Sequence, residues 1–119
     1  MERVQFIEHK GKKILHINFA DCKSNEVLLV IGQATAAIKT QAERSVFTLT
    51  DVTNTAFNTE VSEAMKEFVM HNKPYVVASA VVGVTGLKKI IYNAVMRFSG
   101  RKLTAFDSIA EAKDWLAKH

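Results

Sequence analysis

Asp21, Asp51 and the turn Gly83-Val84-Thr85-Gly86 are the places in this chain where residue type and position could do chemistry. Two carboxylates beside a hydroxyl group can hold a divalent cation through oxygen ligands. A glycine turn heading a helix offers free backbone amides at the positive end of the helix dipole, where an anion can be held. A plainer role stands against each and is preferred. Asp51 suits bonding to nearby turn amides, and Gly83 and Gly86 suit a tight strand-to-helix turn with Thr85 as its cap. Neither a phosphate loop nor a dinucleotide fingerprint is completed, because no lysine-hydroxyl pair and no third glycine follows. His9, His16, His71 and His119 fall in different elements without metal-ligand spacing. Cys22, between Asp21 and Lys23, has no histidine near it in sequence and reads as a small, partly buried side chain rather than a reactive thiol. These residues carry no enzyme signature and call for no cofactor or metal.

The scaffold for them is small. At 119 residues, with 48% hydrophobic and 24% charged side chains, residues 1–119 are expected to form a single domain with a real core. One cysteine makes no internal disulfide and no basic-then-apolar leader opens the chain, so a reducing cytoplasm is the expected compartment. The longest apolar stretch, Tyr75 to Val84, is far too short to span a bilayer. The net charge of +4 is unevenly placed. Between Glu67 and Asp107 there is no acid, while Lys73, Lys88, Lys89, Arg97, Arg101 and Lys102 all fall there. Such an interval favours acidic partners, phosphate groups or anionic lipid surfaces, against the simpler reading of a solvated face.

Alternation in Val4 to Glu8 and in Ile14 to Phe19, around Lys10-Gly11, predicts an antiparallel hairpin with Leu15, Ile17 and Phe19 inward. Ser24 is placed as the cap of a first helix carrying Val27, Leu28, Ile31, Ala34, Thr35 and Ile38 on one stripe. Val46 to Thr50 reads as a buried strand ending at Asp51. Val61, Ala64, Met65, Phe68 and Val69 mark a second helix from Asn58 or Thr59, stopped near Lys73-Pro74. Tyr75 to Val82 reads as a central strand covered on both faces. Leu87, Ile90, Ile91, Ala94, Val95 and Phe98 give a third helical stripe, closed by Ser99-Gly100. Arg101 to Phe106 can form a short strand, and Ser108 with Glu111 makes a capping box for a last helix. The expected fold is α/β, a mixed, mostly parallel sheet of about four or five strands with an N-terminal hairpin, flanked by four helices. Leu15, Ile17, Phe47, Leu49, Val77, Val81, Leu87, Ile91, Val95 and Leu116 are the expected core.

With the third stripe turned to the sheet, Lys88, Lys89, Tyr92, Met96 and Arg97 face outward, and Arg101 and Lys102 lie just beyond. Mixed cationic and apolar groups of this kind suit docking to a protein or an anionic membrane surface. Nucleic acid is disfavoured, since interleaved aromatics and a reading helix are missing. Together with Asp51 and Thr85 these five residues form the candidate anion or partner surface.

The order of elements, the Val46 to Asp51 strand, the uncharged Val76 to Gly83 strand running into Val84-Thr85-Gly86-Leu87-Lys88-Lys89, and the ending Phe106 to Leu116 resemble the small bacterial STAS-like proteins, relatives of the anti-sigma factor antagonists. The resemblance covers nearly the whole chain. It implies a non-enzymatic regulatory domain in bacterial signalling, with a protein partner or a homodimer and no cofactor. In the antagonists a serine in an Asp-Ser-Ser-Gly run accepts a phosphoryl group. Here the corresponding stretch, Asp51 to Ser62, lacks that run, so Thr53, Thr55, Thr59 and Ser62 are the candidate acceptors or docking-loop residues. For Thr59 and Ser62 the plainer role is helix capping. The broader group also resembles CRAL-TRIO domains, which implies the alternative of a carrier for a small apolar or lipid ligand.

Overall fold

A computed structural model describes residues 2–119. The strands Val4–His9 (β1) and Lys12–Asn18 (β2) fold back through Lys10 and Gly11, both at positive φ, which matches the twist of a two-residue hairpin. Helices and strands then alternate as Ser24–Lys39 (α1), Val46–Asp51 (β3), Thr59–His71 (α2), Val76–Val82 (β4), Lys88–Ser99 (α3), Thr104–Phe106 (β5) and Ile109–Ala117 (α4). The five strands lie in the order β1-β2-β3-β4-β5. The β1–β2 pair is antiparallel and the other three pairs are parallel.

This order decides where the helices go. Three right-handed crossovers, each stepping to the next strand in the same direction, must lay α1, α2 and α3 over one face of the sheet. On that face Leu15, Ile17, Val46, Val81 and Leu103 pack against Val27, Ile38, Val61, Phe68 and Val95. The other face is left to α4, whose Ala112 and Leu116 cover Ile14, Leu49, Ala78, Ala80 and Val82. Ile14 is therefore as deeply buried as its neighbour Leu15, and both faces of β2 are inner faces.

Six of the ten expected core residues are buried, namely Leu15, Ile17, Leu49, Val81, Val95 and Leu116. Phe47 and Ile91 are partly buried at the edges of the two clusters. Val77 and Leu87 are corrections, at 50% and 81% exposure. The register between β3 and β4 slips at that point, pairing Val46 with Val76 but Phe47 with Ala78. Val77 is the extra residue, and a bulge turns its side chain out of the ladder. Leu87 precedes the first residue of α3 and stands outside the packed part of the helix. Ser24 is likewise not a cap but the first residue of α1; the cap position is Lys23, whose N–H donates to Glu26 Oε1 at 3.0 Å.

Candidate functional site

The three strand ends singled out by sequence do meet. The Asp21 N–H donates to the Thr53 carbonyl at 3.0 Å, and Asn54 Nδ2 donates to Asp21 Oδ1 at 2.7 Å. Asp51 Oδ1 accepts the Thr53 N–H at 2.9 Å, so Asp51 takes the turn role expected of it. Gly83, at φ +91°, lies so close that a Cβ there would stand 2.5 Å from Thr53 Oγ1 and 2.6 Å from Thr53 N. The carboxylates are thus engaged in holding the loop between β3 and α2. Among the described residues no three of His, Cys, Asp and Glu are grouped to hold a metal ion. Cys22 is buried, and that burial pushes its thiol pKa up, away from the reactive thiolate.

A second feature lies deeper. Between the sheet and helices α2 and α3 there is a cavity of about 80 Å³, with walls that include Ile17, Phe68, Val81, Val95 and Leu103 and the polar side chains of Thr48, Asn72, Ser79, Tyr92, Lys88 and Arg101. Arg101 reaches into this layer: one guanidinium nitrogen donates to Ser79 Oγ and the other to the Val69 carbonyl at 3.2 Å. Ser79 Oγ also lies 2.7 Å from Thr48 Oγ1. Burial pulls the Arg101 pKa down to about 10, so the side chain is still cationic at neutral pH.

Helix α3 is rotated relative to the stripe expected from sequence. Ile91, Tyr92, Val95 and Met96 turn toward the core, while Ile90 and Phe98 are 65% and 50% exposed. The cause is the backbone of Leu103, just before β5. Its carbonyl accepts from the Tyr92 hydroxyl and its N–H donates to Met96 Sδ at 3.5 Å. A buried main-chain pair must find partners, and these two side chains supply them. Tyr92 and Met96 are therefore withdrawn from the candidate surface. Thr85, Lys89 and Arg97 stay exposed, Asp51 is half-buried, and Lys88 is half-buried in the cavity wall.

Arg101, which the sequence places with the basic residues beyond α3, is half-buried and turns into the cavity wall. Period-two spacing from the inward Leu103 was the available signal. His16 was missed altogether: it lies on the α4 side of β2, its Nε2 is buried with no hydrogen-bond partner, and burial lowers its pKa.

No family model and no curated protein matches the chain. Among solved structures, an anti-sigma-factor antagonist (STAS) domain protein from Planctomyces limnophilus superposes with a TM-score of 0.65, over 96% of this chain and 97% of that one, at 14% sequence identity. The fold is STAS-like.

Within this STAS-like fold the loop carrying the candidate acceptors runs from Val52 to Asn58 between β3 and α2. Thr53 and Thr59 are exposed and Ser62 is half-buried. Thr55 is buried and donates from Oγ1 to the Phe19 carbonyl at 2.8 Å, which makes it a structural strut and removes it as an acceptor in the folded chain. Asn58 caps α2, its Oδ1 accepting the Val61 N–H at 2.8 Å, so Thr59 and Ser62 are relieved of that duty. Among the described residues no helix is long and apolar enough to cross a membrane.

Proposed function

We propose that residues 1–119 act as one non-enzymatic, STAS-like regulatory domain of the cytoplasm that docks onto a protein partner, a second copy of the chain included. The docking face is the outer side of α3 with the adjoining loop from Thr53 to Ser62. The observation that carries this reading is the exposure of the large apolar side chains of Leu87, Ile90 and Phe98 on and just before α3, together with the exposed cations Lys89 and Arg97 of the same helix. Exposed large apolar side chains together with arginine suit a contact surface. The partner that fits is an apolar surface with acidic flanks. Thr53 and Thr59 are the exposed hydroxyls through which a phosphoryl group would change the charge beside that face.

The carrier reading is less well supported. A cavity of about 80 Å³ is smaller than the ~150 Å³ that holds a benzene molecule, and a lipid chain does not fit in it.

The test is site-specific photocrosslinking in the source cells, with the photoreactive residue at Ile90 and, as a control, at Leu29 on α1, which is also exposed. A discrete crosslinked species from Ile90 that is missing from Leu29, and lost in Leu87→Asp, supports the docking face. Equal crosslinking from both positions, or none from Ile90, refutes it.

A further inference from the structure

We propose that the cavity beneath α3 is a binding site for a small organic anion, a carboxylate of about two carbons, whose head group is received by Arg101. The site goes beyond the docking reading and does not depend on it.

The walls set the chemistry. Most are hydrocarbon, and no aspartate or glutamate is among them, whereas two cations, Arg101 and Lys88, are. A guanidinium has five N–H donors. Arg101 places one on Ser79 Oγ and one on the Val69 carbonyl, both neutral acceptors. The ion pairs among the described residues involve His9, Lys10 and Lys66, not Arg101. A half-buried cation without a counter-charge carries a desolvation cost, and an anion brought to it offsets part of that cost through charge-assisted hydrogen bonds. Ser79 and Val69 hold the guanidinium in place, so little ordering remains for a ligand to bring about.

The same walls set the size. At about 80 Å³, roughly half the volume that accommodates the six heavy atoms of benzene, the cavity suits a carboxylate of about four heavy atoms, acetate. Its methyl group would lie against Val81, Val95 and Leu103, apolar members of the wall. A neutral molecule would leave Arg101 without a counter-charge, and an amine would be repelled.

The experiment is a ¹H–¹⁵N NMR titration of the full chain with acetate, ethanol and ethylamine. Acetate should give saturable shifts centred on Ser79, Tyr92, Arg101 and Leu103, with ethanol and ethylamine at least about tenfold weaker, the factor expected for a lost charged hydrogen bond. Arg101→Gln should weaken acetate by a similar factor. Should Arg101→Gln fail to fold, Val84→Phe, which enlarges another side chain of the cavity wall, should abolish the shifts. Equal affinity for acetate and ethanol, shifts centred on Lys89 and Arg97, or no saturable shift with any of the three overturns the proposal. So does unchanged acetate binding in a folded Arg101→Gln or Val84→Phe.

Discussion

Thr48 on β3 and Ser79 on β4 stand opposite each other in register with their hydroxyls 2.7 Å apart, buried beneath the helical layer. Arg101 donates to the same Ser79 oxygen. This places a polar row across a sheet face whose buried apolar residues include Leu15, Ile17, Val46 and Val81. A buried hydroxyl is tolerated where its bonds are met, and here each hydroxyl meets the other while Arg101 completes the chain.

Removing the central member of that row should cost more than removing its end. Ser79→Ala leaves a guanidinium donor and the Thr48 hydroxyl without their partner, an expected loss of about 1–3 kcal/mol. Thr48→Val removes one hydroxyl and leaves the Arg101 bond, an expected loss of about 1 kcal/mol. Urea midpoints of the two variants and the double variant measure this, and the pair should be non-additive because the residues touch. Strict additivity would show that the hydroxyls do not interact.

The rotation of α3 separates the mutational costs of two residues that the sequence puts on one inward stripe. Ile90→Ala removes an exposed side chain and should change stability by less than about 0.5 kcal/mol. Val95→Ala removes two methyl groups from the core and should cost about 1.5–3 kcal/mol. Chemical denaturation of both variants decides it, and a loss at Ile90 as large as that at Val95 would return α3 to the orientation expected from sequence.

Gly83 is where a methyl group cannot be accommodated. A Cβ there meets Thr53 backbone and side-chain atoms at 2.5–2.8 Å, with φ at +91°. Gly83→Ala is expected to cost about 2–4 kcal/mol, combining backbone strain with displacement of the loop. Because Thr53 also bonds Asp21 and Asp51, the same variant should broaden or shift the amide signals of Asp21 and Thr53. A stability change under about 0.5 kcal/mol would show that the β3–α2 loop yields freely.

What could be read from the sequence follows from how local each signal is. The β1–β2 hairpin, the Ser108 cap and the stop of α2 before Pro74 depend on neighbours a few residues away, and each was legible, whereas the cap of α2 is Asn58 and not Thr59 or Ser62. Helix α3 was not, because its apolar residues form two overlapping stripes, one through Ile90 and Phe98 and one through Ile91, Tyr92 and Val95. The choice between them is made by Leu103, which lies outside the helix. The bulge at Val77 has the same character, being a mismatch with Val46 and Phe47 on another strand. At the site, Asp51 and Gly83 were found because turn residues announce themselves. Arg101 was not, because a lone cation after a helix reads as surface until the cavity wall it occupies is known.

His16 gives the last prediction, and its sign follows from its surroundings. Burial is the largest influence on the imidazole and lowers its pKa; the charge of Asp51 raises it and that of Lys113 lowers it, with a net displacement below the ordinary value of 6.5. Its Nε2 is buried without a partner, so protonation there adds a charge that the fold does not satisfy. The unfolded chain takes up the proton first, and stability is therefore fully present above about pH 6.5 and falls as pH drops from there through the lower folded value. The slope attributable to this one group is bounded at about 1.4 kcal/mol per pH unit. His16→Gln keeps a polar side chain without a titrating proton, so its urea midpoint should fall less than that of the wild type between about pH 7.5 and pH 5. The carboxyl of Asp114, held below the usual range by its hydrogen bonds to His9 and Lys10, is present in both proteins and cancels in the comparison. Superimposable pH profiles for the two would mean that His16 takes up its proton in the folded chain as readily as in the unfolded one, and that α4 opens enough at this position to let water reach the ring.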